Sequence, residues 1–213
     1  MISTIRWSRW ALILPLLVAG SAAARAGNVV STFKVKGNTA IALFDAFDPV
    51  DPCLESVVSL AAADVMEKIM PNGRTISFRT TIAVIDFDVC TETVLFNGEG
   101  ATASHTFQVA ADLGTATLSS DVMVQDLLST LVFPFQVTMT WTATGKPQTT
   151  NSVDKFRDPV LGIKITDKSH STIVEATATG TVFGTGRNHT HEPSDSGNIQ
   201  RENDGTHTVE RAP

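Results

Sequence analysis

The stretch LVFPFQVTMTWTATG, residues 131–145, decides the fold, because apolar and polar residues alternate along it. Its large apolar side chains share one face of an extended chain, and glutamine and threonine share the other; the apolar set is Phe133, Phe135, Val137, Met139 and Trp141. This period of two is typical of a strand with one buried and one solvated face. Pro134 cannot donate a ladder hydrogen bond, so it predicts a sheet edge or a bulge.

The same alternation recurs on both sides of this stretch, in ASHTFQVAA (residues 103–111) and TATLSSDVMVQ (residues 115–125). Further strands are predicted at 29–36, 40–44, 75–87, 161–166, 172–183 and 206–210. Turn signals separate them at KGN (36–38), PNG (71–73), NGEG (97–100) and GKP (145–147). Many short strands with such turns predict an all-β single domain, an antiparallel β-sandwich or a closed β-barrel. The exception is CLESVVSLAAADVMEKIM (53–70), which local propensity would also accept as a helix.

The N-terminus has the three parts of a secretory signal peptide. Arg6 and Arg9 precede the apolar run WALILPLLVAG, and small residues follow it up to Ala26. Cleavage after Ala26 is favoured, with Ala24 as the alternative, and the run is too short to span a membrane. We therefore expect a signal peptide at 1–26 and one secreted or periplasmic domain at 27–213, without a transmembrane segment.

The charge of the chain and its two cysteines restrict the kinds of partner and the cellular compartment that can be expected. The formal net charge is −6, and loss of the arginine-containing signal makes the remaining chain more acidic. Nucleic acid is excluded as a partner, because binding it requires a basic surface. Cys53 and Cys90 are the only cysteines. In an oxidising compartment such a pair predicts one disulfide, and two free buried thiols are the alternative.

The tetrapeptide Thr-Ala-Thr-Gly occurs twice, ending at Gly145 and at Gly180. Alternation places the alanines and glycines inward and the threonines outward in both copies. Small inward residues such as Ala176 and Ala178 would make room for Trp141 if the two strands pair. An ice-binding row of threonines is the alternative, but threonine is common in strands and the copies are not a strict repeat, so packing is favoured.

Two groups of residues are candidates for chemistry. In GRNHTHEPSDSGN, His189 and His191 point the same way on an extended chain, and Glu192 with Asp195 could add oxygen ligands for zinc. Only His170 or His207 could supply a further histidine ligand, so a polar surface loop is favoured over a metal site. Asp45, Asp48 and Asp51 are clustered carboxylates that could bind calcium, but no EF-hand spacing or glycine supports such a site. An ordinary turn is favoured, because Asp before Pro starts a bend.

Asp86 and Asp88 share a strand face and could act as an acid/base pair. A bulge or strand end that returns both carboxylates to solvent is favoured, since buried unpaired carboxylates are costly. His105, on an apolar strand face, is expected to be a hydrogen-bonded core histidine. No nucleophile elbow or phosphate loop is present. We therefore predict no catalytic, cofactor-binding or metal-binding residue.

Several pieces of the chain, in order, resemble an uncharacterised group of small secreted bacterial β proteins. They are Cys-Thr-x-Thr at Cys90, Met-Thr-Trp-Thr-x-x-Gly at Met139 and Asn-x-Thr-x-Glu-Pro-Ser at Asn188. The resemblance implies a strand rather than a helix over residues 54–64, and a shared Cys53–Cys90 pair. It implies no activity, and the group's loop has an aromatic residue and a proline where this chain has His189 and His191.

The function expected from the sequence is a non-catalytic exported β-domain that acts as a binding or structural module. Loops on a rigid sheet commonly carry binding, and a protein or a glycan is the expected partner. The alternative is a secreted hydrolase that uses Asp86 and Asp88 or the His189/His191 loop. No cofactor is expected.

Overall fold

The computed structural model describes residues 31–70, 74–77, 79–158 and 162–211, and these residues form strands and turns without a helix. The strands are β1 (Ser31–Phe47), β2 (Leu54–Met70), β3 (Arg74–Ser77), β4 (Thr80–Asp88), β5 (Thr93–Thr102), β6 (His105–Val109), β7 (Thr115–Asp126), β8 (Val132–Ala143), β9 (Gln148–Asp158), β10 (Ile163–Gly184), β11 (Arg187–Asn188) and β12 (Ser196–Arg211). The predicted all-β class is confirmed. The predicted signal peptide lies outside the described residues.

The sheet closes on itself. Eight strands pair in chain order as β1, β2, β4, β5, β7, β8, β10 and β12, and β1 pairs antiparallel with both β2 and β12. Of the two predicted arrangements, this pairing is that of the closed barrel. The short or lateral strands β3, β6, β9 and β11 pair with β2, β7, β10 and β10. No helix in the described part of the chain is long and apolar enough to cross a membrane.

Side chains fill the barrel. The largest buried apolar residues point inward from five of the eight strands of the ring: Phe44, Leu60, Leu118, Phe135, Met139, Trp141 and Ile199. Trp141 is fully buried, and its Nε1 donates a hydrogen bond to the carbonyl of Ile41 at 2.9 Å. Its partners in register on the flanking strands are Ala116 and Ala178. The predicted packing of Trp141 against small residues is therefore confirmed.

The two Thr-Ala-Thr-Gly glycines do not share the inward position that alternation predicts. Gly145 lies in the exposed turn after β8, and Gly180 is exposed within β10. A Cβ on Gly180 would lie 2.1 Å from the carbonyl oxygen of Thr138, whereas one on Gly145 would meet nothing closer than 4.0 Å. Only the second glycine is required by close approach of a neighbouring strand.

Several predicted boundaries are wrong, because glycines lie within strands rather than in turns. The KGN stretch continues β1 through a bulge between Val35 and Gly37. NGEG lies inside β5, where Gly98 and Gly100 face inward and leave room for Phe96 and Val124. Similarly, the two strands predicted at 161–183 form one strand, β10, with an irregularity at His170. The PNG stretch lies outside the described residues.

The ambiguous stretch at 54–70 is the strand β2, as the resemblance implies and against the helical alternative. The strand β9 was not predicted. Pro134 lies beyond Gln136, where the β8–β10 ladder ends, which confirms its position at a sheet edge. Cys53 and Cys90 form the predicted disulfide, which ties the turn between β1 and β2 to the turn between β4 and β5.

Candidate functional site

A buried polar cluster lies at one end of the barrel, under the connection from β10 to β12. Ladder pairing between β10 and β12 stops at Glu175. Beyond it, polar side chains of the connection bond the free edge of β10. Asn188 Oδ1 accepts from Val182 N at 3.2 Å, Thr190 Oγ1 donates to Gly180 O at 3.1 Å, and Ser194 Oγ accepts from Ala178 N at 2.8 Å. Backbone bonds from His189 N to Val182 O at 2.9 Å and from Ser194 N to Ala178 O at 2.8 Å accompany them, so the connection completes the barrel wall with both side-chain and backbone bonds.

His189 points into the barrel from this connection and is fully buried. Its Nδ1 lies 3.1 Å from Asp86 Oδ1, and its ring stacks on Phe135 with centroids 5.3 Å apart. Nε2 lies 3.1 Å from the carbonyl of Gly184. Both ring nitrogens therefore face acceptors, and the histidine is packed rather than presented to solvent.

Asp86 is buried, and the expectation that a bulge returns it to solvent is wrong. A bulge does follow it in the β4–β5 ladder, but the carboxylate accepts hydrogen bonds from Ser56 Oγ at 2.9 Å and from the guanidinium of Arg187. Burial alone would raise the pKa of Asp86; the bonds and charges of His189 and Arg187 outweigh it and hold the pKa below the usual range. Partners from distant strands offset the desolvation cost that the prediction assumed.

Asp88 lies at the end of β4 and does not form an acid/base pair with Asp86. Its Oδ1 accepts from the backbone of Thr91 at 3.0 Å and of Cys90 at 2.9 Å, and these bonds lower its pKa. The predicted strand end is therefore correct for Asp88 alone. Asp88 therefore has partners that are local in the chain, whereas the partners of Asp86 come from distant strands.

The other acidic residues of this end also organise turns. Asp48 Oδ1 accepts from the amides of Val50 and Asp51 at 2.8 and 3.1 Å, which confirms the predicted turn for Asp48 and Asp51. Asp45 instead lies within β1, so the turn prediction is wrong for that residue. Its Oδ2 lies 3.7 Å from Arg187 Nη1 and 3.9 Å from His191 Nε2. His189 and His191 thus contact different carboxylates.

A second acidic group lies outside the barrel near Asp45. A hydrogen bond with Asp45, burial and the charge of Asp45 raise the pKa of Glu55 to about 7. Burial, with the charges of Asp45 and Glu192, also raises the pKa of Asp195. Asp195 thus lies near other acids, and neither it nor Glu192 joins a histidine in a group of three candidate metal ligands among the described residues.

Among the described residues, one group brings three candidate metal ligands within 4.8 Å of one another, namely Cys53, Asp88 and Cys90. Both of its sulfurs belong to the disulfide. His170 Nδ1 instead pairs with Asn151 Oδ1 at 2.6 Å, and the side chain of His207 is outside the described part of the chain. His105 is hydrogen-bonded as predicted, with Nδ1 2.9 Å from Thr80 Oγ1, but it is half-buried and not part of the core.

Thr185 begins the tight turn that follows β10 and has a φ of 50°, which is unfavourable for a β-branched residue. With Gly186 at 85°, it forms a two-residue hairpin loop with positive φ at both positions. Its Oγ1 donates to Gly184 O at 2.7 Å and lies 3.3 Å from His189 Nε2. Asp86, His189 and Thr185 thus form a chain of polar contacts from the interior to the surface.

The outer wall carries a different feature, which we call the threonine face: three in-register rows across β7, β8 and β10. The rows are Thr115–Thr142–Thr177, Thr117–Thr140–Thr179 and Ser119–Thr138–Thr181. Eight of these nine side chains are exposed, and Thr177 is half-buried. None of the nine is charged, although the chain has a formal net charge of −6. The next outward residues are the acid Asp121 on β7 and, at the two ends of the face on β10, the acid Glu175 and the exposed Phe183.

An open groove of about 430 Å³ lies elsewhere on the outer wall, where β5 and β7 pair over three residues only. Small or apolar residues line most of it, among them Ala83, Ala101 and Leu127, and Glu99 lies within it. Its wall is less regular than the threonine face.

Sequence reasoning missed Arg187 and Ser56, which bind Asp86, because both come from strands far away in the chain. It considered a row of threonines only as the disfavoured alternative to packing, since the register that aligns β7, β8 and β10 cannot be read from the spacing within one strand. The signal that could have found it is the run of alternate hydroxyls in TATLS, TMTWT and TATGT.

No family model, curated protein or solved structure matches the chain.

Proposed function

We propose that this chain is a non-catalytic exported binding domain that holds an uncharged ligand on its threonine face. The observation that carries the proposal is the in-register set of eight threonines and one serine, exposed almost throughout and free of charge. A charge-free area on an acidic protein favours a neutral ligand, because an ion would gain nothing from it. Export is supported by the signal-like N-terminus and by the disulfide.

The filled interior supports binding on the outer wall. Barrels that hold a small ligand inside keep a cavity there, whereas Phe135, Met139 and Trp141 occupy the centre of this one. The polar cluster around Asp86 and His189 is enclosed as well. The wall, rather than the interior or the loops, is therefore the surface proposed to bind.

The test is adsorption of the purified protein to uncharged solids: cellulose, chitin, cross-linked dextran and ice. We expect the wild type to adsorb to one of them and Thr140→Lys, at the centre of the face, to be lost from it. Thr81→Lys is the matched control, because Thr81 is an exposed strand threonine on β4, away from the face. Equal adsorption of the two variants, or none by the wild type, would contradict the proposal.

The second candidate function is hydrolysis, and the contact chain Asp86–His189–Thr185 favours it. In that function Thr185 Oγ would attack an ester carbonyl while His189 Nε2 takes its proton, and the ester alcohol would leave with that proton. Water would then hydrolyse the acyl-threonine to the free acid and restore the Thr185 hydroxyl. The orientation of the hydroxyl counts against it, since Thr185 donates to Gly184 O and His189 is wholly buried. Turnover of p-nitrophenyl esters that disappears in Thr185→Val but persists in Thr181→Val would support the enzyme.

A further inference from the structure

We infer that the neutral surface bound by the threonine face is ice. This inference rests on the proposed function and names its ligand. It starts from the spacing of the face: same-side residues along a strand lie about 6.8 Å apart, and neighbouring strands lie about 4.8 Å apart. Ladder bonds in antiparallel pairs run perpendicular to the strands, so the rows and columns cross near a right angle.

Such a grid has two unequal, perpendicular repeats. Water oxygens on the prism face of hexagonal ice also repeat along two perpendicular directions with unequal spacings of this size. Thr117, Thr140 and Thr179 form the central row of the grid, and Thr138, Thr140 and Thr142 form its central column. A lattice of water repeats along both directions of such a grid, so it can meet several of these positions at once.

The groups on the face also suit water. Each hydroxyl donates one hydrogen bond and accepts others, as a water molecule in ice does. Each threonine also carries a methyl group, and its branched Cβ restricts χ1. A side chain that is already restricted loses little entropy when the ligand binds.

The threonine face lacks the groups that usually bind proteins, sugars, nucleic acids or anionic lipids. Protein partners are usually held by tryptophan, tyrosine or arginine anchors, and the nine residues include none. Sugars are commonly held by aromatic stacking, which the nine also lack. Nucleic acids and anionic lipids require cations, whereas the bordering charged residues Asp121 and Glu175 are acidic.

The threonine face spans only three strands, and this limits how strongly the protein is expected to bind ice. Adjacent strands are rotated by about 20–25°, so the match to a flat crystal plane does not extend far beyond three strands. A small matched area gives weak adsorption. We therefore expect the protein to slow ice recrystallisation clearly and to depress the freezing point only slightly.

The experiment measures recrystallisation of polycrystalline ice with wild type, Thr140→Lys, Thr140→Val and Thr81→Lys, all shown to be folded by thermal unfolding. Inhibition is expected for the wild type and for Thr81→Lys. Thr140→Lys is expected to lose it, because an ammonium and its hydration shell interrupt the central row. Thr140→Val keeps the shape and methyl groups without the hydroxyl, and partial activity is expected.

Three outcomes would overturn the inference. Wild-type protein without any effect on ice is one, and full activity of Thr140→Lys is the second. The third is equal loss in Thr81→Lys, which would assign the effect to added charge in general or to the groove that Thr81 lines, and not to the threonine face. Adsorption to a polysaccharide but not to ice would overturn ice as the ligand and leave the proposed function standing, whereas adsorption to no neutral solid would remove both.

Discussion

Trp141 links the strand pattern to stability at the scale of a single residue. Trp141→Ala would empty a fully buried site and is expected to destabilise the protein by about 3–5 kcal/mol. Trp141→Phe should cost less, but it leaves the carbonyl of Ile41 without its indole donor. Thr142→Ser, on the outer face of the same strand, should change stability by no more than about 0.5 kcal/mol. Urea unfolding of the three variants measures these differences, and a Trp141→Ala protein as stable as wild type would contradict the packing.

Two carboxyl groups should make stability depend on pH in opposite directions. The pKa of Asp86 is lowered, because the bonds and charges of His189 and Arg187 outweigh its burial. Its contribution is therefore present above the unfolded pKa of about 3.9 and is lost as the pH falls through the folded value. The pKa of Glu55 is raised to about 7 by its hydrogen bond with Asp45. Its contribution is present below the unfolded pKa of about 4.3 and is lost as the pH rises through about 7.

Melting temperatures between pH 2 and pH 9 test this pair. Glu55→Gln should lose the decline in stability that the wild type shows between about pH 4.3 and pH 7. Asp86→Asn should melt lower at neutral pH, since Arg187 loses its carboxylate, and should show a smaller further loss in acid. Identical pH profiles for wild type and Glu55→Gln would mean that Glu55 and Asp45 do not share a proton.

In strand β10, a glycine is required for stability because the backbone of the neighbouring strand β8 lies too close for a side chain. Gly180→Ala would place a Cβ 2.1 Å from the carbonyl of Thr138 on β8, so the two strands must separate or the ladder must break. Gly145→Ala is the matched control in the other Thr-Ala-Thr-Gly copy, because its Cβ would meet no atom closer than 4.0 Å. Thermal unfolding should show a loss above about 1 kcal/mol for Gly180→Ala and little change for Gly145→Ala. The reverse order would contradict the close approach.

Elements were predictable from the sequence where one face of a strand differs from the other. β7 and β8 have strict alternation and were placed to within a few residues. β9 has mostly polar and exposed residues, as in QTTNSVDKFRD, so it carries no apolar period to detect. The glycines of β1 and β5 were wrongly interpreted as turn residues. A residue without a side chain also suits a β-bulge, or a position in a strand where neighbouring atoms leave no room for a Cβ.

The site depended on register and closure, which no local pattern contains. Asp86 had the correct face in the sequence, but its partner Arg187 comes from the far side of the ring. The rows of threonines likewise exist only once β7, β8 and β10 are aligned. Side-chain alternation predicts which way a residue points, and tertiary pairing decides what it meets.

The disulfide acts on the whole molecule, because it joins two turns at one end of the barrel across a separation of 37 residues. Reduction is expected to lower the free energy of unfolding by roughly 3–4 kcal/mol, mainly by freeing the unfolded chain. Urea unfolding with and without reductant measures the loss, and Cys53→Ala/Cys90→Ala should reproduce it. An unfolding midpoint insensitive to reductant would contradict a stabilising bond.

Because β1 pairs with β12, the fold should not require that the chain begin at β1 and end at β12. Ser31 pairs with Val209, so the beginning and the end of the described barrel lie one strand spacing apart. A glycine-serine linker could join them, and a new N-terminus could start at Lys146, in the exposed turn between β8 and β9. We expect this circular permutant to fold with native strand content and a buried Trp141, because every strand keeps both neighbours. Circular dichroism and tryptophan fluorescence would show this, and an unfolded permutant would mean that β8 and β9 must be joined for the ring to form.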